Sequence, residues 1–340
     1  MDGYTIEEPT ADYSGIVRTE REKPSPADDE VLVRLKACSL NYRDLAIANT
    51  DIVYPNATYP IVPLSDGAGD VVDAGDDVSR VSEGDRVATL LSPEWIDGTG
   101  TPQKWANQLG STLDGVLTQY AAFPAESVTK LPAHLSYTEG ATLPCAGVTA
   151  WRALIEEGSL SANETVLAIG TGGVSTFALQ FAEMHGAKTI VTSASDEKLA
   201  RARELGAWET INYRETPEWG NAVQEITQGV GVDHVVEVGG QGTLQQSLAA
   251  VSVNGQIHLI GVLTGQEGLV DPGPILHKAV SVEGIVGVGS RAMFERMNQA
   301  IAATEMTPVV DRVFGFDEVQ AAYRHAEAGN HQGKVVISVE

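Results

Sequence analysis

The chain of 340 residues carries 46 acidic against 22 basic side chains, a net charge of −24, with the acids scattered in short groups such as Asp28-Asp29-Glu30 and Asp76-Asp77. A surface of that sign excludes nucleic acid as a partner, and its two cysteines, Cys38 and Cys145, can build neither a disulfide framework nor a four-thiolate structural zinc site. No apolar run approaches the roughly 20 residues of a membrane span, and the start Met1-Asp2-Gly3-Tyr4 lacks the segments of a secretory signal, so a cytoplasmic protein that needs no membrane is expected. Few lysines and dispersed acid predict adaptation to high salt, where screening suppresses self-repulsion.

The first part of the chain reads as short strands over 31–38, 67–73, 85–91, 116–123 and 127–131, broken by Gly, Pro and Asp clusters. Between the third and fourth runs, 92–114 is long and polar and holds Trp95 and Trp105, which are expected to anchor it rather than to close over a substrate. From residue 165 the texture changes. Strands are expected at 165–169, 188–192, 209–213, 233–238, 256–263 and 281–288, with helical segments between them, near 217–227, 244–250 and 291–304 among others. Alternation of this kind makes an α/β fold with a doubly wound parallel sheet of six strands. A last helix at 317–328 and strand at 334–339 are expected to return to the mostly-β part.

The most telling stretch is Thr165-Val166-Leu167-Ala168-Ile169 running into Gly170-Thr171-Gly172-Gly173-Val174-Ser175. Glycines permit a tight turn and a close backbone approach, and a helix opening near Val174 aims its positive end at a pyrophosphate. Its apolar face, Val174, Phe177, Ala178, Phe181 and Ala182, runs to a stop at Gly186. Ser175 stands where the usual fingerprint has a third glycine. An NAD-specific site would end the second strand with Asp or Glu; here it ends Ser193-Ala194-Ser195, followed by Asp196-Glu197-Lys198. Ser193 removes the charge that would repel a 2′-phosphate and Lys198 could pair with it, so NADP(H) is expected over NAD(H), while Ser195 caps the next helix. The loops after the later strands, at Gly239 and at Gly261 to Leu263, are expected to flank the cofactor at the carboxyl ends of the sheet.

The order of separated motifs resembles the medium-chain dehydrogenase/reductase family over nearly the whole chain, in particular its zinc-free branch of quinone oxidoreductases and enoyl reductases. The motifs are Lys36-Ala37-Cys38-Ser39-Leu40-Asn41-Tyr42-Arg43-Asp44, Pro63-Leu64-Ser65-Asp66-Gly67-Ala68-Gly69, Gly84-Asp85-Arg86-Val87, Leu143-Pro144-Cys145-Ala146-Gly147-Val148-Thr149-Ala150, the glycine turn and Gly333-Lys334-Val335-Val336. The resemblance implies a GroES-like catalytic domain over 1–130 and 308–340, a Rossmann domain over 131–307, nicotinamide-dependent hydride transfer and a homodimer. It also places Thr149 against the nicotinamide and associates Tyr213 and Lys334 with NADPH.

Zinc-bearing relatives supply Cys at Asn41, His-Glu at Ser65-Asp66, and Cys or Asp at Cys145, so only Cys145 is a competent ligand and no catalytic zinc is expected. Without a Lewis acid, the accessible reaction is hydride delivery to an already polarised acceptor, a quinone or the β-carbon of an enone. Asn41 and Tyr42 are expected to line the pocket for this small-molecule substrate, with Tyr42 as oxyanion or proton donor. The pocket's shape would depend on Tyr54, Trp95, Met293 and the 92–114 loop. The alternatives are an alcohol dehydrogenase-type carbonyl/alcohol oxidoreductase and a non-catalytic NADPH-binding sensor.

Overall fold

The computed structural model describes residues 1–50 and 56–339, so Tyr54 lies outside the described residues. The strands, in chain order, are β1 (Asp2–Ile6), β2 (Ile16–Glu20), β3 (Glu30–Ser39), β4 (Asp66–Ala74), β5 (Arg86–Thr89), β6 (Tyr120–Pro124), β7 (Val128–Lys130), β8 (Thr165–Ile169), β9 (Lys188–Ser193), β10 (Glu209–Asn212), β11 (Val232–Glu237), β12 (Val251–Leu259), β13 (Ser281–Gly284), β14 (Val310–Phe314) and β15 (Lys334–Ser338). They fall into two compact units, Met1–Val148 with Gly287–Glu340, and Thr149–Val286.

In the first unit, β1 and β2 form a hairpin, and β14-β15-β3-β4-β5-β7 form a sheet in that order, with β6 also paired to β3. β3 sends Val31, Val33 and Leu35, at the period of two of a strand face, into one core with Val71, Val87, Phe123 and Ile337. Its other face is buried as well at Leu32, Ala37 and Ser39, while Arg34 stays exposed. The helix Val319–Glu327 closes the core with Val319, Ala322, Tyr323 and Ala326, spaced for one helical face.

The second unit is a parallel sheet in the order β10-β9-β8-β11-β12-β13, in which successive strands are added outward on one side from β8 to β10 and on the other from β11 to β13. Val166, Leu167 and Ala168 are all fully buried, because helices cover both faces of a parallel sheet and leave no strand position for a polar residue to face water. The helix Gly173–Met184 buries Phe177, Ala178, Phe181 and Ala182, and Gly186, at φ +75°, ends its turn.

Several elements differ from expectation. The 116–123 run pairs as a strand only from Tyr120, and β13 stops at Gly284, whereas β12 begins five residues early at Val251. β1, β2, β14 and a helical stretch at 137–157 had no clear periodic signal. The unit boundaries lie inside the 131–307 segment. The helix Arg291–Thr304 belongs to the first unit: its Arg291 N donates to Trp95 O (3.0 Å), and Asn298 Nδ2 donates to Lys130 O (2.9 Å).

Candidate active site

In the second unit, β8 delivers the chain to Gly170, whose φ of +76° is the left-handed region that a side chain resists. Gly172 is the N-cap of Gly173–Met184, and no side-chain oxygen caps the helix there. A Cβ built on Gly170 or Gly172 meets nothing within 4 Å. The start of this helix therefore keeps both donors and space for an anion. Val174 lies in the first turn, and Ser175, at the third-glycine position, donates from Oγ to Ile169 O (2.6 Å), so the helix and strand are tied by a hydrogen bond where a glycine would allow bare packing.

The ends of β9 and β10 bring Ser193, Lys198 and Tyr213 to one corner. Tyr213 N donates to Ser193 O (3.1 Å), Ser193 Oγ accepts from Ser195 N (3.3 Å), and Ser195 Oγ accepts from Lys198 N (3.4 Å) as the cap of Asp196–Glu204. Ser193 is buried; the Tyr213 ring is exposed. No carboxylate ends β9.

The loops after β11 and β12 interlock. Leu263 N donates to Val238 O (3.2 Å), Thr264 N donates to Gly239 O (2.8 Å), and a Cβ on Gly261 would lie 2.6 Å from Val238 O. Glu237, missed in the sequence, organises them: its fully buried carboxylate accepts from Gly239 N (2.7 Å), Gly240 N (3.0 Å), Thr243 Oγ1 (2.6 Å) and Ser247 Oγ. The available signal was an acid ending an apolar strand just before two glycines. Thr149, the first residue of this unit, is buried.

In the first unit, β3 runs out at Ser39 and a short helix, Tyr42–Ala48, begins at the N-cap Asn41, with Asn41 N donating to Asp44 Oδ2 (2.7 Å). Of the two residues expected to line the pocket, Tyr42 is 48% exposed, whereas Asn41 turns inward. Asn41 Oδ1 accepts from Lys334 Nζ, and its enclosed Nδ2 completes no hydrogen bond of normal geometry among the described residues, although it faces Asp66 closely enough to favour that carboxylate. Lys334, 3% exposed, also donates to Leu40 O (2.5 Å). Asp66 is fully buried and accepts from Ser65 Oγ (2.6 Å) and Cys145 N (3.0 Å). Burial pushes the Asp66 carboxyl up, against the Lys334 ammonium; burial likewise pushes Asp44 up to about 6, against Arg43. Arg43 pins the 92–114 loop through Leu109 O (2.9 Å) and Ser111 Oγ (3.0 Å), and Trp95, wholly buried against Trp105 at 5.7 Å, anchors it from within.

A tetrahedral zinc needs three donors from thiolate, imidazole and carboxylate. The positions available here are an amide already bonded to an ammonium, a serine hydroxyl spent on Asp66, and the Cys145 thiol, which burial and then Asp66 push up to about 12. Among the described residues no group of three or more His, Cys, Asp and Glu is arranged to hold a metal. These residues do not fit zinc.

Comparison with known proteins agrees with this architecture. The alcohol dehydrogenase GroES-like domain model matches residues 27–133 and the zinc-binding dehydrogenase model matches 173–303. A zinc-type alcohol dehydrogenase-like protein of Schizosaccharomyces pombe is 43% identical over 99% of this chain and 99% of its own length. The human quinone oxidoreductase is 27% identical over 94% of this chain and 92% of its own. Among solved structures, a candidate alcohol dehydrogenase from Sinorhizobium meliloti 1021 superposes with a TM-score of 0.92 at 40% identity, covering 99% of this chain and 98% of that one. With a GroES-like unit, a parallel-sheet Rossmann unit and relatives matched along its whole length, the chain belongs to the medium-chain dehydrogenase/reductase family of oxidoreductases.

Proposed function

We propose that the protein is an NADPH-dependent oxidoreductase that reduces a quinone or an activated C=C bond without a catalytic metal. The observation that carries this reading is the donor set around Asn41, where Lys334 supplies a fixed ammonium and Ser65 and Cys145 make a poor zinc shell. Gly170, Gly172, Gly173 and Val174 would hold the pyrophosphate, Ser193, Lys198 and Tyr213 the 2′-phosphate corner, and Thr149, Gly239, Gly261 and Leu263 the rest of the cofactor. When bound, the reduced nicotinamide supplies the hydride.

The chain's own residues then have one task, to stabilise the negative charge that develops on the acceptor's oxygen. A preorganised donor does this, and removing one such donor typically costs on the order of 10²–10³ in rate. Tyr42 is the exposed donor, with Asn41 holding the turn beneath it. A ketone or alcohol substrate lacks conjugation to spread that charge and would need an electrophile this shell does not offer.

The test is NADPH oxidation with quinones, enals and ketones in high salt. Turnover of quinones or enals supports the proposal, ketone reduction favours an alcohol dehydrogenase, and tight NADPH binding without turnover favours a sensor. A lower dissociation constant for NADH than for NADPH would reverse the cofactor assignment. We further propose a homodimer formed through the exposed edge strand β13, and a salt-adapted acidic surface in a cytoplasmic setting.

A further inference from the structure

Lys334 is a charged side chain with almost no contact with water, at the head of β15. Gly333 before it has φ +81°, and a Cβ there would lie 2.3 Å from Val309 O, so only glycine lets the chain turn into the strand at this point. β15 pairs antiparallel with β3, Val336 opposite Ser39, and Leu40 N donates to Val335 O (3.0 Å). Continuing that register sets Lys334 beside Asn41. Its ammonium donates to Leu40 O (2.5 Å) and to Asn41 Oδ1, and its charge favours the ionised form of Asp66. An ammonium has donors only, so it fixes the Asn41 amide with oxygen toward itself and nitrogen away.

We propose that Lys334 is a positioning residue for Tyr42: its buried ammonium, anchored on Leu40 O and Asn41 Oδ1, locks the strand-to-helix turn from which the Tyr42 hydroxyl is presented to the acceptor's oxygen. Two consecutive residues are held by one cation, and Tyr42 is the next residue along the chain. A buried charge is costly to leave unpaired, so the cation and its two acceptors hold one arrangement. The assignment differs from a lysine that binds the cofactor, and it rests on the reading of Tyr42 as substrate donor.

A double-mutant cycle tests it, with Lys334→Met, Lys334→Arg, Tyr42→Phe and Lys334→Met/Tyr42→Phe assayed for kcat, acceptor KM and NADPH dissociation constant, using the best acceptor of the wild-type enzyme. The expected result is a fall in kcat of about tenfold or more for Lys334→Met, with the NADPH dissociation constant within twofold of wild type. Lys334→Arg should recover part of kcat, and Lys334→Met should cost less than about twofold on the Tyr42→Phe background. The proposal is overturned if Lys334→Met weakens NADPH binding tenfold and does so equally on both backgrounds, which marks a cofactor ligand, or if its kcat loss adds in full to that of Tyr42→Phe. Should Lys334→Met not fold, Lys334→Arg and its double variant carry the same comparison. Failure of the functional reading looks different, since the wild-type protein itself would then turn over no quinone or enal.

Discussion

At the scale of single residues, a second buried pair sits apart from the proposed chemistry. His234 on β11 and His258 on β12 stack with ring centroids 5.5 Å apart, His234 Nδ1 lies 3.2 Å from His258 Nε2, and His234 Nε2 lies 3.3 Å from Glu164 Oε2. Burial, and then the neighbouring His234, push His258 down to about 3. A base held below its ordinary value of 6.5 is neutral in the folded chain, so on acidification only the unfolded chain takes up the proton. Stability is therefore unaffected above pH 6.5 and falls between there and about pH 3, by up to about 1.4 kcal/mol per pH unit. His258→Gln should flatten the fall in Tm between pH 7 and pH 4 relative to wild type; an equally steep fall would show that other groups govern acid unfolding.

At the scale of elements, the turn from β8 into Gly173–Met184 separates binding from folding. Gly172 has φ −73°, which any residue adopts, and its Cβ direction is open, so Gly172→Ala adds a methyl group without strain in the fold. Its Tm should stay within about 2 °C of wild type while the NADPH dissociation constant rises tenfold or more, because the methyl group blocks the backbone's approach to the pyrophosphate. Unchanged binding would place the cofactor elsewhere. This turn was legible in the sequence because a five-residue apolar run, glycines and a helical stripe coincide within twenty residues. β1 and β2 were not, since five-residue edge pieces with mixed polarity carry too few periods to register. The inward turn of Asn41 and its capture by Lys334 were equally hidden: they join residues 293 apart, and only the β3–β15 pairing brings them together.

For the whole molecule, the net charge of −24 sets the response to salt. Several of its ion pairs, such as Arg18 with Asp2 and Arg21 with Asp114, are partly exposed and contribute little. Self-repulsion should dominate at low ionic strength, so Tm should climb steadily from 0.05 M to molar KCl; indifference to salt would remove the reading of a salt-adapted surface.

The central claim is reduction of a conjugated acceptor at a site without metal. Its most direct test is steady-state NADPH oxidation by exhaustively dialysed protein, with its zinc content measured on the same sample. The account predicts quinone or enal turnover unchanged by a chelator, with zinc far below one ion per chain. One zinc per chain, whose removal abolishes activity and whose return restores it, would contradict it.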